Sequence, residues 1–454
     1  MPLSVRFEGG TLVLDGADAD TLPEGFLWDP RIRRGRAPAN RYGALVEWAR
    51  AAGHELEDRA KAWAKLDTLR HLSTRTARDY QEAAVSAWRD ARWRGVVVLP
   101  TGAGKSYVAE RIIAECRRST LVVVPTLDLL SQWYGGLRAA FGEDIGALGG
   151  GTHEIRDITV TTYDSMAIYA DRYGDRFGLV IWDEVHHLPA SGYSRAAASL
   201  CAPLRLGLTA TLERTDGSHA DLDSTVGPVV YRREIPELAG DYLAPYTTEV
   251  ISVSLSAMEK IRYDTLRAQY NDFCAGEGLR VRSPQDWQRF IQVSARSKAG
   301  RSAFNAYLES RRIAHGGERK LEVVREIIAR EWGRRTIVFT NDNATAWRIS
   351  EALLVPCITH HTDMAERRRW LDAFSAGEIN VLATSRVLNE GVDLPEAEVA
   401  IIVSGTGTVR ESVQRLGRIL RPRADKQAVL YELVAEGTTE TRTSERRREH
   451  DAYR

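Results

Sequence analysis

Short apolar runs rich in β-branched residues recur along most of this chain, each followed by a turn and an amphipathic stretch. One series comprises Val96–Leu99, Leu121–Val124, Ile158–Thr162, Leu179–Trp182 and Leu206–Leu208. A second comprises Thr336–Thr340, Asn380–Ala383, Val399–Val403 and Ala428–Tyr431. Runs that are apolar at every position, with helical periods between them, predict buried parallel strands joined by βαβ crossovers. The chain therefore reads as α/β, with two parallel-sheet domains.

The remaining segments follow other rhythms. Ser4–Glu8 and Thr11–Asp15, split by Gly9-Gly10, predict a β-hairpin. The stretch from Arg41 to Lys65 places Tyr42, Leu45, Val46, Trp48 and Ala49 on one face of a predicted helix. Together they define a small α+β unit over residues 1–70. Between them Arg31, Arg33, Arg34, Arg36 and Arg41 form a basic cluster, either a solvated loop or a contact to a DNA backbone. The first α/β domain then spans 71–250, a helical insert 251–318 and the second α/β domain 319–454. From Leu255 to Lys320 there are 13 Lys and Arg against 7 Asp and Glu, interleaved with Tyr263, Tyr270, Phe273, Trp287, Phe290 and Phe304. Two readings stand for these aromatics: the insert's own core, or a grip on a nucleic-acid strand.

Composition narrows the class. At 454 residues the chain is too long for one core, and 43% hydrophobic with 27% charged residues is ordinary for a folded protein. Lys plus Arg (62) equals Asp plus Glu (62), so any nucleic-acid surface is a local patch. The first residues form no apolar leader and no later run is long enough to span a bilayer, so the expected location is the cytoplasm, with no membrane contact. Cys116, Cys201, Cys274 and Cys357 are spread singly and are expected as isolated thiols.

Two segments carry the chemistry. Leu99-Pro-Thr-Gly-Ala-Gly-Lys-Ser106 follows the first strand run. It departs from the strict phosphate-loop pattern, with Leu99 where the first Gly would stand. Thr101, Gly102, Ala103 and Gly104 can still wrap phosphates in backbone N–H groups, with Lys105 as point charge and Ser106 as a Mg²⁺ hydroxyl. Asp183-Glu-Val-His-His187 follows Leu179–Trp182. Asp183 is expected to hold the Mg²⁺ and Glu184 to polarise a water. Ligands of open parallel sheets bind at the carboxyl ends of strands, so both segments reach one nucleotide. Far downstream, Gln414-Arg-Leu-Gly-Arg-Ile-Leu-Arg421 places Arg418 and Arg421 on one face of a predicted helix, as arginine fingers for a transferring phosphoryl group. His186 and His187 are adjacent and diverge, which argues against a histidine metal pair.

In this order the segments resemble superfamily-two helicases of the DExH type, and within them the XPB family, closest in layout to its archaeal and bacterial members. Arg78-Asp-Tyr-Gln81 is similar to that family's adenine-reading motif, which implies Arg78 and Gln81 at the base. Val123–Trp133 resembles motif Ia, implying strand contacts at Pro125 and Thr126, and Thr161–Ser165 implies another at Thr162. Leu208-Thr-Ala-Thr211 resembles motif III, which links hydrolysis to domain movement, and Ile337–Thr340 resembles motif IV. Ala383–Pro395 resembles motif V, implying strand contact at Thr384 and nucleotide contact at Gly391 and Asp393. Gln414–Arg421 is similar to motif VI, which implies catalytic roles for Gln414, Arg418 and Arg421 beside Lys105 and Glu184.

The resemblance implies two RecA-like domains, an N-terminal damage-recognition-like domain and a thumb-like insert. It also implies ATP and Mg²⁺ as cofactors. The family's Arg-Glu-Asp triplet, proposed to act on DNA as a separating wedge, is here Arg214-Thr215-Asp216. The expected activity is a monomeric, ATP-dependent 3′-to-5′ DNA helicase acting on single-stranded, forked or duplex DNA in repair or transcription. The alternatives are a duplex translocase or remodeller that does not part the strands, and an ATP-switched DNA-binding scaffold. The expected partner is a nuclease or a repair or transcription assembly.

Overall fold

The computed structural model of the chain describes residues 3–142, 144–210, 222–238, 246–281, 283–385, 397–404 and 428–448. It divides into two compact units, one up to Glu234 and the other from Ile235 on.

The first unit opens with strands β1 (Leu3–Glu8), β2 (Thr11–Asp15), β3 (Leu27–Asp29), β4 (Arg34–Pro38) and β5 (Leu56–Arg59), ordered β3-β4-β2-β1-β5. The hairpin expected from the sequence is present, with Ser4 opposite Asp15 and Glu8 opposite Thr11. The helix expected over Arg41–Lys65 is shorter: α1 spans Tyr42–Ala51, and Gly53 at φ +71° turns the chain into β5, which pairs parallel with β1. The basic cluster is not a free loop. Part of it is β4, and Arg31 pairs with Asp29, Arg34 with Asp15 and Arg36 with Glu8. Nor does this small domain stand apart. Its core of Val5, Leu12, Leu14 and Leu45 takes in Cys201, and a Cβ at Gly10 would meet Ser199 and Asp171 at 2.5 Å.

Eight strands then form one sheet: β6 (Arg94–Val98), β7 (Thr120–Val124), β8 (Ile145–Gly149), β9 (Thr152–Glu154), β10 (Ile158–Thr162), β11 (Leu179–Asp183), β12 (Leu204–Thr209) and β13 (Val229–Arg232). Their order is β13-β6-β12-β11-β7-β10-β8-β9, and only the β8–β9 pair is antiparallel. Every residue of β7, β10 and β11 is buried, as continuous apolar runs require. Crossovers include α2 (Asp79–Asp90), α3 (Lys105–Cys116), α4 (Leu127–Phe141) and α5 (Tyr163–Tyr173).

The second unit holds a six-stranded parallel sheet of β14 (Tyr246–Val253), β15 (Thr336–Phe339), β16 (Cys357–Ile358), β17 (Val381–Thr384), β18 (Val399–Ile402) and β19 (Ala428–Ala435), ordered β14-β19-β18-β15-β17-β16. β14 pairs with β19 along its whole length, so the break expected at 250/251 falls inside a strand of this sheet. The insert is helical over Ala257–Gly276, Pro284–Ser294 and Lys298–Gly316. Its aromatics resolve as core: Tyr270 and Phe290 are buried, with Phe273, Trp287, Phe304 and Tyr307 packed around them. Ring centroids of Trp287 and Tyr307 lie 4.8 Å apart, those of Tyr270 and Phe290 5.2 Å. Among the described residues no helix is long and apolar enough to cross a membrane.

One buried cation braces the first sheet. Arg205 on β12 is 0% exposed and donates to the carbonyls of Ala202 (3.0 Å), Ala197 (3.2 Å), Thr225 (2.9 Å) and Leu200, with its guanidinium 5.5 Å from the Trp182 ring centroid. Arg205→Met fills the space but strips the guanidinium from the Ala202 and Leu200 carbonyls, while those of Thr225 and Ala197 keep Arg94 Nη2 (3.2 Å) and Leu200 N (3.4 Å). It is expected to destabilise this unit by about 3 kcal/mol or more, since each orphaned buried acceptor costs about 1–3 kcal/mol. A denaturant titration followed by tryptophan fluorescence measures this.

Candidate nucleotide site

The strand ends determine where the chemistry gathers. β6, β12, β11 and β7 are parallel neighbours, so the loop after β6, the carboxylates ending β11 and the start of α4 after β7 all leave the same edge of the sheet.

The loop Leu99–Ser106 is shaped by its glycines. Gly102 and Gly104 hold φ of +86° and +79°, in the left-handed region that side chains disfavour. A Cβ at Gly104 would stand 2.6 Å from Gln81 Nε2. Lys105 opens α3, and its Nζ donates to the Leu99 carbonyl at 3.3 Å, folded over its own loop. Ser106 is exposed in the first turn, Ala103 is buried and Thr101 is half-buried.

The loop is braced from α2. Gln81 Nε2 (3.0 Å) and Tyr80 Oη (2.7 Å) both donate to the Ala103 carbonyl, while Gln81 Oε1 accepts from the Arg78 backbone N–H (3.0 Å). Arg78 Nη1 in turn donates to Tyr80 Oη at 3.1 Å. Gln81 was expected at the base. Its amide here fastens the phosphate loop to the helix, leaving one N–H and one lone pair for a ligand.

Asp183 and Glu184 differ in surroundings. Asp183 is 7% exposed, and burial pushes its carboxyl above the ordinary range, while Lys105, the Trp133 indole N–H and the Glu184 N–H pull it down. Oδ2 accepts from Trp133 Nε1 at 2.8 Å and Oδ1 from the Glu184 backbone N–H at 3.1 Å. Glu184 sits at φ +48°, left-handed for a residue with a side chain, at the turn that ends β11. Thr209 Oγ1 donates to Glu184 Oε2 at 3.4 Å, and buried His186 reaches both, with Nδ1 3.0 Å from Thr209 Oγ1 and 3.4 Å from Glu184 Oε2. Tyr163 Oη donates to the Asp183 carbonyl at 3.0 Å, and burial holds its phenol well above its usual range.

This donor set fits a hard divalent cation. Asp183 is a buried carboxylate whose hydrogen bonds come from neutral donors, and Ser106 offers an exposed hydroxyl at the loop. Sequence reasoning passed over Tyr80, Trp133, Tyr163 and Thr209 as site residues. Their common signal is polar groups on otherwise apolar runs, which must find partners once buried.

The strand-contact candidates are placed less uniformly. Thr126 caps α4 by accepting from Leu129 N (3.3 Å), beside half-buried Pro125, and Thr162 caps α5 by accepting from Ser165 N (3.1 Å). Thr384 is wholly buried, its hydroxyl donating to the Ser385 carbonyl at 3.0 Å. Arg214, Asp216, Gly391, Asp393, Gln414, Arg418 and Arg421 lie outside the described residues.

Known proteins match this arrangement in three blocks. Residues 5–60 match the family described as the Xeroderma pigmentosum group B helicase damage recognition domain, 74–214 the type III restriction enzyme res subunit, and 319–451 the ERCC3/RAD25/XPB C-terminal helicase. A DNA 3′-5′ translocase XPB2 of Sulfurisphaera tokodaii is 46% identical over 372 residues, covering 82% of this chain and 84% of that protein. A DNA 3′-5′ helicase XPB of Mycobacterium tuberculosis is 34% identical over 373 residues, and the match covers 79% of this chain but 60% of that longer protein. The helicase domain of Pyrococcus furiosus Hef shares the fold, with a TM-score of 0.52 and 20% identity over 81% of this chain and 97% of that one.

Because Gln81 holds the loop in shape, Gln81→Ala is expected to weaken nucleotide binding about tenfold, roughly the net worth of one lost hydrogen bond. Titration with a fluorescent ATP analogue measures it.

Proposed function

The chain belongs to the XPB family of DNA helicases, and from that premise we propose that it is an ATP-dependent motor moving 3′ to 5′ on DNA and parting its strands, in repair or transcription. The observation that carries this reading is the shared strand-end edge in the first sheet, where the Lys105 loop and the Asp183–Glu184 pair meet. Backbone N–H groups of Thr101–Ser106 cradle the phosphates of ATP, and Lys105 swings from the Leu99 carbonyl to the outer phosphates. Asp183 and Ser106 would hold Mg²⁺, which when bound neutralises phosphate charge. Glu184, oriented by Thr209 and His186, positions the attacking water and accepts its proton. Arg78 and Gln81 bound the base side of the site. By family resemblance Gln414, Arg418 and Arg421 stabilise charge on the transferred phosphoryl group, and Gly391 and Asp393 touch the nucleotide. Pro125, Thr126 and Thr162 are proposed to follow the DNA backbone, which makes binding sequence-independent and salt-sensitive, while Thr384, expected there too, is wholly buried with its hydroxyl on the Ser385 carbonyl. A nuclease or a larger assembly as partner, and a monomeric motor, rest on the family alone.

A second reading, translocation along duplex DNA without strand separation, is favoured by two observations. The Sulfurisphaera relative is named a translocase, and Thr215 replaces the middle acid of the wedge triplet, which lies outside the described residues together with Arg214 and Asp216.

Lys105→Ala is expected to lower ATP turnover at least about a hundredfold, the usual loss when a group stabilising developing charge is removed, while DNA binding persists. Undiminished turnover in a steady-state assay overturns the motor reading. On forked DNA, Thr215→Glu is expected to raise unwinding per ATP hydrolysed if the wedge is what the wild-type chain lacks. No gain removes the triplet as an explanation.

A further inference from the structure

A buried tryptophan must find an acceptor for its indole N–H. Trp133, 5% exposed in the middle of α4, gives its N–H to Asp183 Oδ2 at 2.8 Å, across to the end of β11. The helix that carries it begins at Leu127, capped by Thr126 just after β7, and β7 lies beside β11 with Val123 opposite Trp182. The first turn of α4 is thus the proposed strand contact, and its second turn holds the metal carboxylate.

We infer that Trp133 is a positioning residue for Asp183, and that through it helix α4 links DNA contact to the nucleotide site. The inference rests on the function proposed above. A carboxylate rotates broadly about its terminal torsion unless hydrogen bonds fix its plane. Here the Glu184 backbone N–H fixes Oδ1 and the Trp133 N–H fixes Oδ2, so the lone pairs left for a cation point in set directions. The Glu184 donor belongs to the strand end itself. The Trp133 donor belongs to a different element, α4, so a displacement of that helix would re-aim the carboxylate. Trp133 touches neither DNA nor nucleotide in this scheme; it acts through Asp183.

Trp133→Phe keeps a ring of similar shape and removes the N–H. The Mg²⁺ concentration at half-maximal binding of a non-hydrolysable ATP analogue is expected to rise about tenfold or more, as when an outer partner of a metal ligand is lost. Binding of the analogue without Mg²⁺ is expected to stay unchanged. DNA stimulation of ATP turnover is expected to fall severalfold at unchanged DNA affinity. Trp88→Phe is the control for a purely structural effect. Trp88 is fully buried and donates to the Arg205 carbonyl at 2.9 Å, so this change should lower thermal stability without moving the Mg²⁺ midpoint.

A wild-type Mg²⁺ midpoint in W133F, or an equal rise in W88F, overturns the inference. Should W133F not fold, Trp133→Met, also without a donor, is read in the same titration, and a wild-type midpoint there overturns it too. If wild-type turnover ignores DNA, the motor reading fails, while the Mg²⁺ titration still decides whether Trp133 positions Asp183.

Discussion

The first unit depends on one buried negative charge. Asp183 ends a strand whose residues are all buried, and the apolar sheet around it gives no compensation for an ionised carboxylate. Its neighbours meet part of that cost. Trp133 and the Glu184 backbone supply N–H donors, and Lys105 lowers the carboxyl by its charge from across the strand ends. Each of these groups lies where it does because parallel strands release their loops at one edge. The left-handed turn at Glu184 follows from the same constraint. Two adjacent carboxylates on a continuing strand would point to opposite faces, and the turn instead swings Glu184 toward Thr209 and His186.

Much of this was legible in the sequence, for a physical reason. A strand buried on both faces has no polar positions, so Leu121–Val124 or Leu179–Trp182 can be recognised without knowing their partners. The phosphate loop is legible because Gly102 and Gly104 meet a backbone requirement, and such requirements are local. What stayed hidden was set by contacts between distant segments. The helix read through Lys65 stops at Ala51, since β5 gains more by pairing with β1 than helical periodicity offers. Arg31, Arg34 and Arg36 look free as a string but fold opposite Asp29, Asp15 and Glu8. The insert's aromatics read equally as a core or a strand grip until helices bring Tyr270, Phe290 and Tyr307 together. The Trp133–Asp183 bond spans 50 positions, and no spacing rule reaches that far.

A comparison of buried charges within the chain separates structure from chemistry. Arg205 is surrounded by carbonyls that occupy its guanidinium, so its charge is fully used in bracing the first sheet. In the second unit Lys320 is 2% exposed, and its ammonium donates to Glu440 Oε2 and the Val403 carbonyl, each at 2.6 Å. Glu440 Oε2 also accepts from Ala435 N, closing that pair onto the end of β19. Nearby, Glu259 caps its own helix by accepting from Ser256 N and takes the Glu318 N–H at 3.1 Å, while Tyr263 Oη accepts from Thr439 N. The insert is therefore built into the second sheet's end and does not hang from it on a flexible strand. Both cations have oppositely polarised partners at contact distance, and a buried charge so paired contributes a fixed geometry. Asp183 differs in kind. Its oxygens take hydrogen bonds only from neutral donors, and burial pushes its carboxyl up while the Lys105 charge pulls it down, beside the glycine loop. A bound cation would favour the ionised carboxylate further, and in this way the sheet's packing is tied to its chemistry.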